Sequence, residues 1–533
     1  MDLNLSTDKE ALCLLMERFP SLALMASSWD GEAICDEKGP FIDPGKAEVL
    51  YCYGLSTTVY FQYQKFLEKN KRLIFLEDDP AVISSFLKRA EAVEILSDPR
   101  TFIEWISNEE WGIESLVQKY PVQRVEVIST PSKKKKFRAL KLQILRSSTL
   151  VFAQHMDREH GYQPFSNFVI NSKHLSSSFY PNAMKGAFKN IPAIVCGAGP
   201  SLKSSIPVLR NLEDKALLIA GGSTLAALSS QGITPHFGMA IDPNLEEYRR
   251  LKNSFAFEVP LLYSTRVAPD IFQTCNGPFG YMRSGIGGIL ELWLEEELAL
   301  VDPLIGENLS SESISVTSIC VAWAQFLGCN PILLNGIDMA YTENQRYAKG
   351  VVGEEKVGFK EIDGEKSAAD RILRRKDRKG NFVHTAVRWV MESASISHFA
   401  KMHPEVQFIN TTEGGIGFKG IKYSSLEVVS NEFIRRDIRS LVHEMISNSP
   451  MPKEVNKVVI TKMGDLISSL EKVIEYLLIL TDNVKGSKAL AELEIYEEMA
   501  TSYLFYDVNQ IFPDDLWVNW LKLARKYLLF GRG

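Results

Sequence analysis

Residues 191–202 read IPAIVCGAGPSL: an apolar run ending at Cys196 breaks into Gly197-Ala198-Gly199-Pro200-Ser201 before a new segment starts at Leu202. A buried strand that opens into a glycine-rich turn and a helix start is how α/β proteins aim backbone N–H groups at phosphate. The pattern returns in weaker form at Ala220-Gly221-Gly222-Ser223, one strand and one helix later. Outward from these turns, apolar runs at 237–241, 260–263, 331–334 and 407–409 are separated mostly by helical stretches. Such alternation predicts an α/β fold with a Rossmann-like, doubly wound and mostly parallel sheet. Wholly apolar strands such as 331–334 suit a sheet covered on both faces.

The chain has 533 residues, too many for one ordinary core, which predicts several domains. A smaller α/β domain is expected over 1–150, a helical and looping connector over 151–190, the Rossmann-like domain over 191–425 and a helical domain over 426–533. In the first of these, the run 47–54 ends at Gly54, a helical stretch follows to Glu68, and the strand 72–77 ends in Glu77. Strand, glycine turn, helix and acid-ended strand make half a Rossmann unit, but a single glycine favours a structural βαβ over a ligand site. The run Lys133-Lys134-Lys135-Lys136 suits a solvated linker or helix start. The charged stretch 354–380 suits a surface lid or loop, with a basic patch for an acidic substrate as the alternative. Leu466, Leu470, Val473, Ile474 and Leu477 fall at helical spacing.

Composition narrows the function classes. A net charge of −6 gives no global attraction to nucleic acid or anionic lipid. No run approaches the ~18–20 apolar residues of a membrane span. The opening MDLNLSTDKEALCLL lacks a basic, then apolar, signal segment. Seven cysteines without a CxxC pair suit reduced thiols. A cytoplasmic protein with no membrane span and no nucleic-acid partner is expected.

The turn at 197–201 lacks the Lys-Ser/Thr of a P-loop and the third glycine of a dinucleotide fold. Pro200 fixes φ for a first helical turn, and Ser201 can cap that helix or meet a ligand. Asp242, in AIDPN, ends a strand, where it either caps the next turn or faces a ligand. Gly336 and Asp338 end another strand, followed by Tyr341 and, six residues on, Tyr347. Two tyrosines on a loop beside a phosphate site can hydrogen-bond a leaving phosphate without metal, although structural tyrosines are commoner. NTTEGG at 410–415 marks a tight turn. His384 is a candidate general base or a structural histidine. No histidine or carboxylate pattern at metal-ligand spacing occurs, so no catalytic metal is expected.

Taken in order, GAGPSL, GGS, AIDPN, the GID–AYT stretch at 332–342 and FINTTEGGIGFKG at 408–420 resemble the motility accessory factor family over residues 190–425. Those bacterial proteins are implicated in attaching nonulosonic acids, pseudaminic or legionaminic, to serines and threonines of flagellin. The central domain is also similar to bacterial sialyltransferases that use a CMP-activated sugar on a Rossmann-like fold. The resemblance implies that Gly197, Gly199, Pro200 and Ser201 cradle the CMP phosphate and ribose. Gly222 and Ser223 would lie on a second nucleotide loop and Asp242 at the third strand end. Ser315, Val316 and Thr317 would line the nucleotide, with Gly336 and Asp338 beside it. Tyr341 and Tyr347 keep the spacing of the tyrosine pair that steadies the departing phosphate, and His384 is the nearest candidate base. Asp242 departs from the amide those sialyltransferases carry, and the GGS loop lacks their asparagine.

The leading expectation is therefore a glycosyltransferase moving a nonulosonic acid from CMP to a flagellin-like protein hydroxyl, with the CMP-sugar as donor substrate and no cofactor. A related domain of archaeal pterin pyrophosphokinases shares the G-x-G-P-S turn and a strand-end aspartate; there ATP and Mg²⁺ would make Asp242 and Asp338 metal-binding acids. A non-catalytic nucleotide-sugar sensor or assembly factor is the third possibility.

Overall fold

The computed structural model describes residues 2–468 and 471, apart from 28–32, 40, 70, 107–110, 160–161, 253, 314 and 352–365. Of the helical domain expected over 426–533, the part beyond 471 lies outside the described residues, as does the first half of the charged stretch at 354–380. The chain divides into two compact units. One comprises residues 1–157, 358–375 and 384–391; the other comprises 158–357, 376–383 and 392–533.

The first unit is built on four strands, β1 (Val49–Tyr53), β2 (Arg72–Glu77), β3 (Thr101–Trp105) and β4 (Val125–Ser129), in the order β3-β2-β1-β4. All three pairings are parallel. All five residues of β1 are buried, as the continuous apolar run demands of a central strand. Gly54 has φ +105°, and a Cβ there would come within 2.2 Å of Thr130 Oγ1. The glycine thus lets the turn after β1 meet the turn after β4. Glu77 is fully buried, and its carboxylate accepts the N–H groups of Leu55 at 2.9 Å and of Asp78 and Asp79 at 3.0 Å. Lys133 completes this cluster, bonded to Glu77 and, at 2.5 Å, to Asp78. The first lysine of the basic run is thus an ion-pairing group, while Lys134 opens the helix Lys134–Glu159.

Arg371 returns to this unit from far along the chain. Its Nη1 lies 2.6 Å from Glu126 Oε2 and its Nη2 donates to the Val125 carbonyl at 2.6 Å, with both side chains 1% exposed. Lys141 Nζ pairs with the other Glu126 oxygen at 3.0 Å. Arg371 and Lys141 hold the Glu126 carboxyl below the usual carboxylate range against the opposing effect of burial.

The second unit carries β5 (Ala193–Cys196), β6 (Leu217–Gly221), β7 (Phe237–Ala240), β8 (Leu261–Tyr263), β9 (Phe279–Tyr281) and β10 (Ile332–Asn335). Between β10 and β13 in sequence lies a two-stranded pair, β11 (Ile372–Lys376) and β12 (Phe382–Ala386), most of whose residues belong to the first unit, while β13 (Phe408–Asn410) and β14 (Lys422–Tyr423) belong to the second. The eight-stranded sheet runs β14-β13-β10-β5-β6-β7-β8-β9, parallel throughout. This is the doubly wound, Rossmann-like sheet expected from the alternating apolar runs. After β5 the chain winds outward one way to β9, then crosses back so that β10 pairs with β5 on its other side. The reversal makes the carboxyl ends of β5 and β10 a topological switch point, where open α/β sheets bind ligands. Among the described residues no helix is long and apolar enough to cross a membrane.

Removing one partner of a buried ion pair strands the other charge, so Arg371→Ala is expected to lower the stability of the first unit by about 3–5 kcal/mol. Urea denaturation followed by circular dichroism reads this, and pairing Arg371→Met with Glu126→Met should restore most of the loss. A single-variant loss near zero would mean that this ion pair does not hold the returning segment.

Candidate functional site

At the switch point, two turns pack backbone to backbone. Gly197 N donates to the Asn335 carbonyl and Gly199 N to the Gly336 carbonyl, both at 2.8 Å. A Cβ on Gly197 would lie 2.6 Å from Gly336 O, and one on Gly199 would lie 2.1 Å from Asp338 Oδ1. Gly336 has φ +64°, and its Cβ would meet Gly197 O at 2.7 Å. The three glycines are therefore required by contact between the turn after β5 and the turn after β10.

Asp338 is the hub of this contact. It is 2% exposed, its Oδ1 accepts Ser201 Oγ at 2.5 Å, and its Oδ2 accepts Ser201 N at 3.2 Å. Burial raises the Asp338 carboxyl above its usual range, while the Ser201 bonds pull it back. Ser201 is the N-cap of the helix Leu202–Leu209. A protein carboxylate thus already meets the helix N-terminus that the sequence assigns to phosphate. The N–H groups of Gly197, Gly199 and Ser201 all donate inside the protein, so a ligand at this corner meets the turn through other groups.

β13 braces the same corner. Thr411 N and Oγ1 donate to the Leu334 carbonyl at 2.8 and 3.1 Å, Thr412 Oγ1 donates to it at 3.1 Å, and Ile337 N donates to Thr412 Oγ1 at 3.1 Å. Asn335, fully buried, donates to Ser205 Oγ at 2.9 Å and Thr411 Oγ1 at 3.1 Å. Gly415, at φ +78°, lies so near the Asp338 carbonyl that a Cβ would fall 1.7 Å from it. The NTTEGG turn therefore fixes the end of β10.

The tyrosine-bearing segment folds back onto the β5 turn, because Ala348 N donates to the Ala198 carbonyl at 2.8 Å. Tyr341 is buried, and Tyr347 and Ala198 are both partly buried against the same core. Lys203 and Glu343 pair across this junction at 2.5 Å.

Gly222 and Ser223 open the helix Gly222–Ser229 after β6. A Cβ on Gly221 would lie 2.6 Å from Val316 Cγ1, so this turn abuts the start of the helix Val316–Phe326. There Ser315 accepts from Thr317 N at 3.2 Å and donates to Glu392 Oε1 at 2.6 Å. Glu392 is buried and also receives the Ser318 hydroxyl.

Asp242 follows β7, two strands from β5. Burial raises its carboxyl, opposed by the charges of Arg250 and Arg266. Arg266 also acts on Glu291, a buried acid of the helix Ile289–Glu297. Glu291 Oε1 accepts Ser264 Oγ at 2.8 Å and Thr265 Oγ1 at 2.5 Å. One turn on, burial and the Glu291 charge push Glu295 up to about 7, against the Tyr281 hydroxyl at 2.8 Å and Arg283 at 3.0 Å.

The turns after β5 and β10 and the 341–348 loop come together, as do the β6 turn and the 315–317 helix start. His384 lies in β12, among the residues of the first unit. Sequence inspection missed Glu291, Glu392 and Arg346. The first two carry a signal, an acid inside an otherwise apolar or small-residue helical run (ILELWL, MESASI).

Residues 166–344, about a third of the chain, match the sequence-family model described as 6-hydroxymethylpterin diphosphokinase MptE-like. No curated protein matches the chain. Among solved structures the chain is similar to the MAf glycosyltransferase from Magnetospirillum magneticum AMB-1, at 14% identity and a TM-score of 0.47, over 99% of this chain and 95% of that one. Both names coincide with families that the motif set resembles.

Two outcomes follow. Gly199→Ala places a methyl against a backbone carbonyl and a buried carboxylate, so a loss of about 3 kcal/mol or more is expected in thermal unfolding; unchanged stability would mean that the two turns do not touch. A carboxyl whose folded value is raised contributes stability at low pH that is lost as pH rises through that value. Wild type should therefore lose stability between about pH 4.5 and pH 7, and Glu295→Gln should flatten that slope. An equal slope in the variant would contradict the burial of Glu295.

Proposed function

We propose that the chain is a glycosyltransferase that moves a nonulosonic acid from a CMP-activated donor to a serine or threonine of a protein such as flagellin. The observation that carries this reading is the closure of the 341–348 loop on the β5 turn at the switch point, which sets the tyrosine segment beside the nucleotide-type turn. In the proposed reaction a base takes the acceptor hydroxyl proton, and the oxygen attacks the anomeric carbon. The carbon–oxygen bond to phosphate breaks and CMP departs. Tyr341 and Tyr347 would donate hydrogen bonds to the leaving phosphate, a charge that develops only as the bond breaks. His384, a residue of the first unit, is given no part at this edge, and the donor is a substrate, so no resident cofactor is required.

The MptE-like match over residues 166–344 favours ATP-dependent diphosphate transfer to a pterin instead. That chemistry would call on Asp242 and Asp338 to hold Mg²⁺. Asp242 sits in the field of Arg250 and Arg266, and Asp338 accepts two bonds from Ser201. Both arrangements oppose sharing a cation, which supports the sugar transfer.

Incubation with a CMP-nonulosonic acid and flagellin should release CMP and add the sugar's mass to the acceptor. Tyr341→Phe and Tyr347→Phe should each lower kcat by about 100-fold while KM changes little. Release of AMP from ATP with a pterin acceptor, and no CMP release from the sugar donor, would overturn the proposal.

A further inference from the structure

The carboxyl edge of the second unit is rich in carboxylates, and most of its cations already face one. Arg250 and Arg266 act on Asp242. Lys203 pairs with Glu343 at 2.5 Å, and Arg378 pairs with Glu413 at 3.0 Å. Arg346 differs. It lies on the loop between Tyr341 and Tyr347, two residues before the Ala348 N–H that ties this loop to the β5 turn. It is partly buried, and its Nε is buried without a hydrogen-bond partner among the described residues. Its one described contact is the Tyr347 ring, whose centroid lies 5.0 Å from the guanidinium carbon.

A buried guanidinium N–H without an acceptor is costly, and a planar fork is suited to a bidentate oxyanion. The Tyr347 face holds the guanidinium by a cation–π contact and leaves its donors in the guanidinium plane for another partner. The Gly197, Gly199 and Ser201 amides are themselves donors, already bonded to Asn335, Gly336 and Asp338, so they are not free to hold a phosphate at this edge. A nucleotide phosphate brought to this edge would also feel the Asp338 carboxylate and would need a cation that no protein acid has taken.

We infer that Arg346 is the residue that receives the phosphate of the bound nucleotide, so that the phosphate is held by the 341–348 loop rather than by the amides of the 197–201 turn. The inference rests on the nucleotide-site reading above but does not require the sugar. It makes Arg346 a binding group, with Tyr347 as the residue that positions it.

Calorimetric titration of the full chain with two pairs of probes, cytidine with CMP and adenosine with AMP, isolates the contribution of the phosphate as a ratio of dissociation constants. Wild type should bind one monophosphate more tightly than its nucleoside, and Arg346→Gln should shrink that ratio by about 10–100-fold, leaving nucleoside affinity in place. Arg346→Lys keeps the charge without the fork and should retain part of the ratio; it is read instead if Arg346→Gln does not unfold cooperatively. A lost ratio for CMP supports the inference. A lost ratio for AMP with no binding of CMP supports it too, while overturning the sugar-transfer reading. An unchanged ratio in a folded variant, equal loss of nucleoside and nucleotide affinity, or a wild type indifferent to phosphate would each overturn it.

Discussion

The contact between the turn after β5 and the turn after β10 is the constraint on which the second unit's functional edge depends. Two strands adjacent in the sheet but far apart in sequence must end in turns that touch, and only glycine permits backbone carbonyls at 2.6–2.7 Å from the Cβ positions of residues 197, 199 and 336. Asp338 then reaches the helix N-terminus at Ser201, and the NTTEGG turn closes over it from β13. The rest follows in sequence: once β10 is fixed, the chain leaving it has to fold back across the β5 turn, carrying Tyr341, Arg346 and Tyr347 with it.

Protein carboxylates recur along this edge. Asp338 accepts from Ser201, Glu392 from Ser315 and Ser318, and Glu291 from Ser264 and Thr265. Each satisfies donors at a strand or helix end that would otherwise face solvent or a ligand. An edge lined this way does not attract anions by backbone dipoles alone. Under the proposed nucleotide reading, recognition of the phosphate falls to side chains, with Arg346 on the loop that closes on the β5 turn as the candidate.

Much of this fold is legible in sequence because a parallel sheet covered on both faces makes its strands uniformly apolar. The runs at 193–196, 237–241 and 331–334 correspond to β5, β7 and β10 within a residue. β9 escaped because it is three residues long and centred on Gly280, whose Cβ would strike the Phe179 ring at 2.5 Å. β4 escaped because Glu126 interrupts its apolar pattern, and the partner that makes the charge tolerable, Arg371, is 245 residues away. The site was legible in part for the same reason. Its glycines and Asp338 stand out locally, but the Ser201–Asp338 bond spans 137 residues and depends on a strand order that no local pattern encodes. Arg346 reads as an ordinary surface cation until its loop is seen lying against the core.

The central claim is that a nucleotide occupies the switch point, between the β5 turn and the 341–348 loop. A crystal structure of the protein soaked with CMP tests it most directly. The account predicts the nucleotide at the carboxyl ends of β5 and β10, with its phosphate against Arg346 and no phosphate oxygen bonded to the Gly197, Gly199 or Ser201 amides. A nucleotide bound at the amino ends of the strands or on the first unit's sheet, or one whose phosphate displaces Asp338 from Ser201, would contradict it.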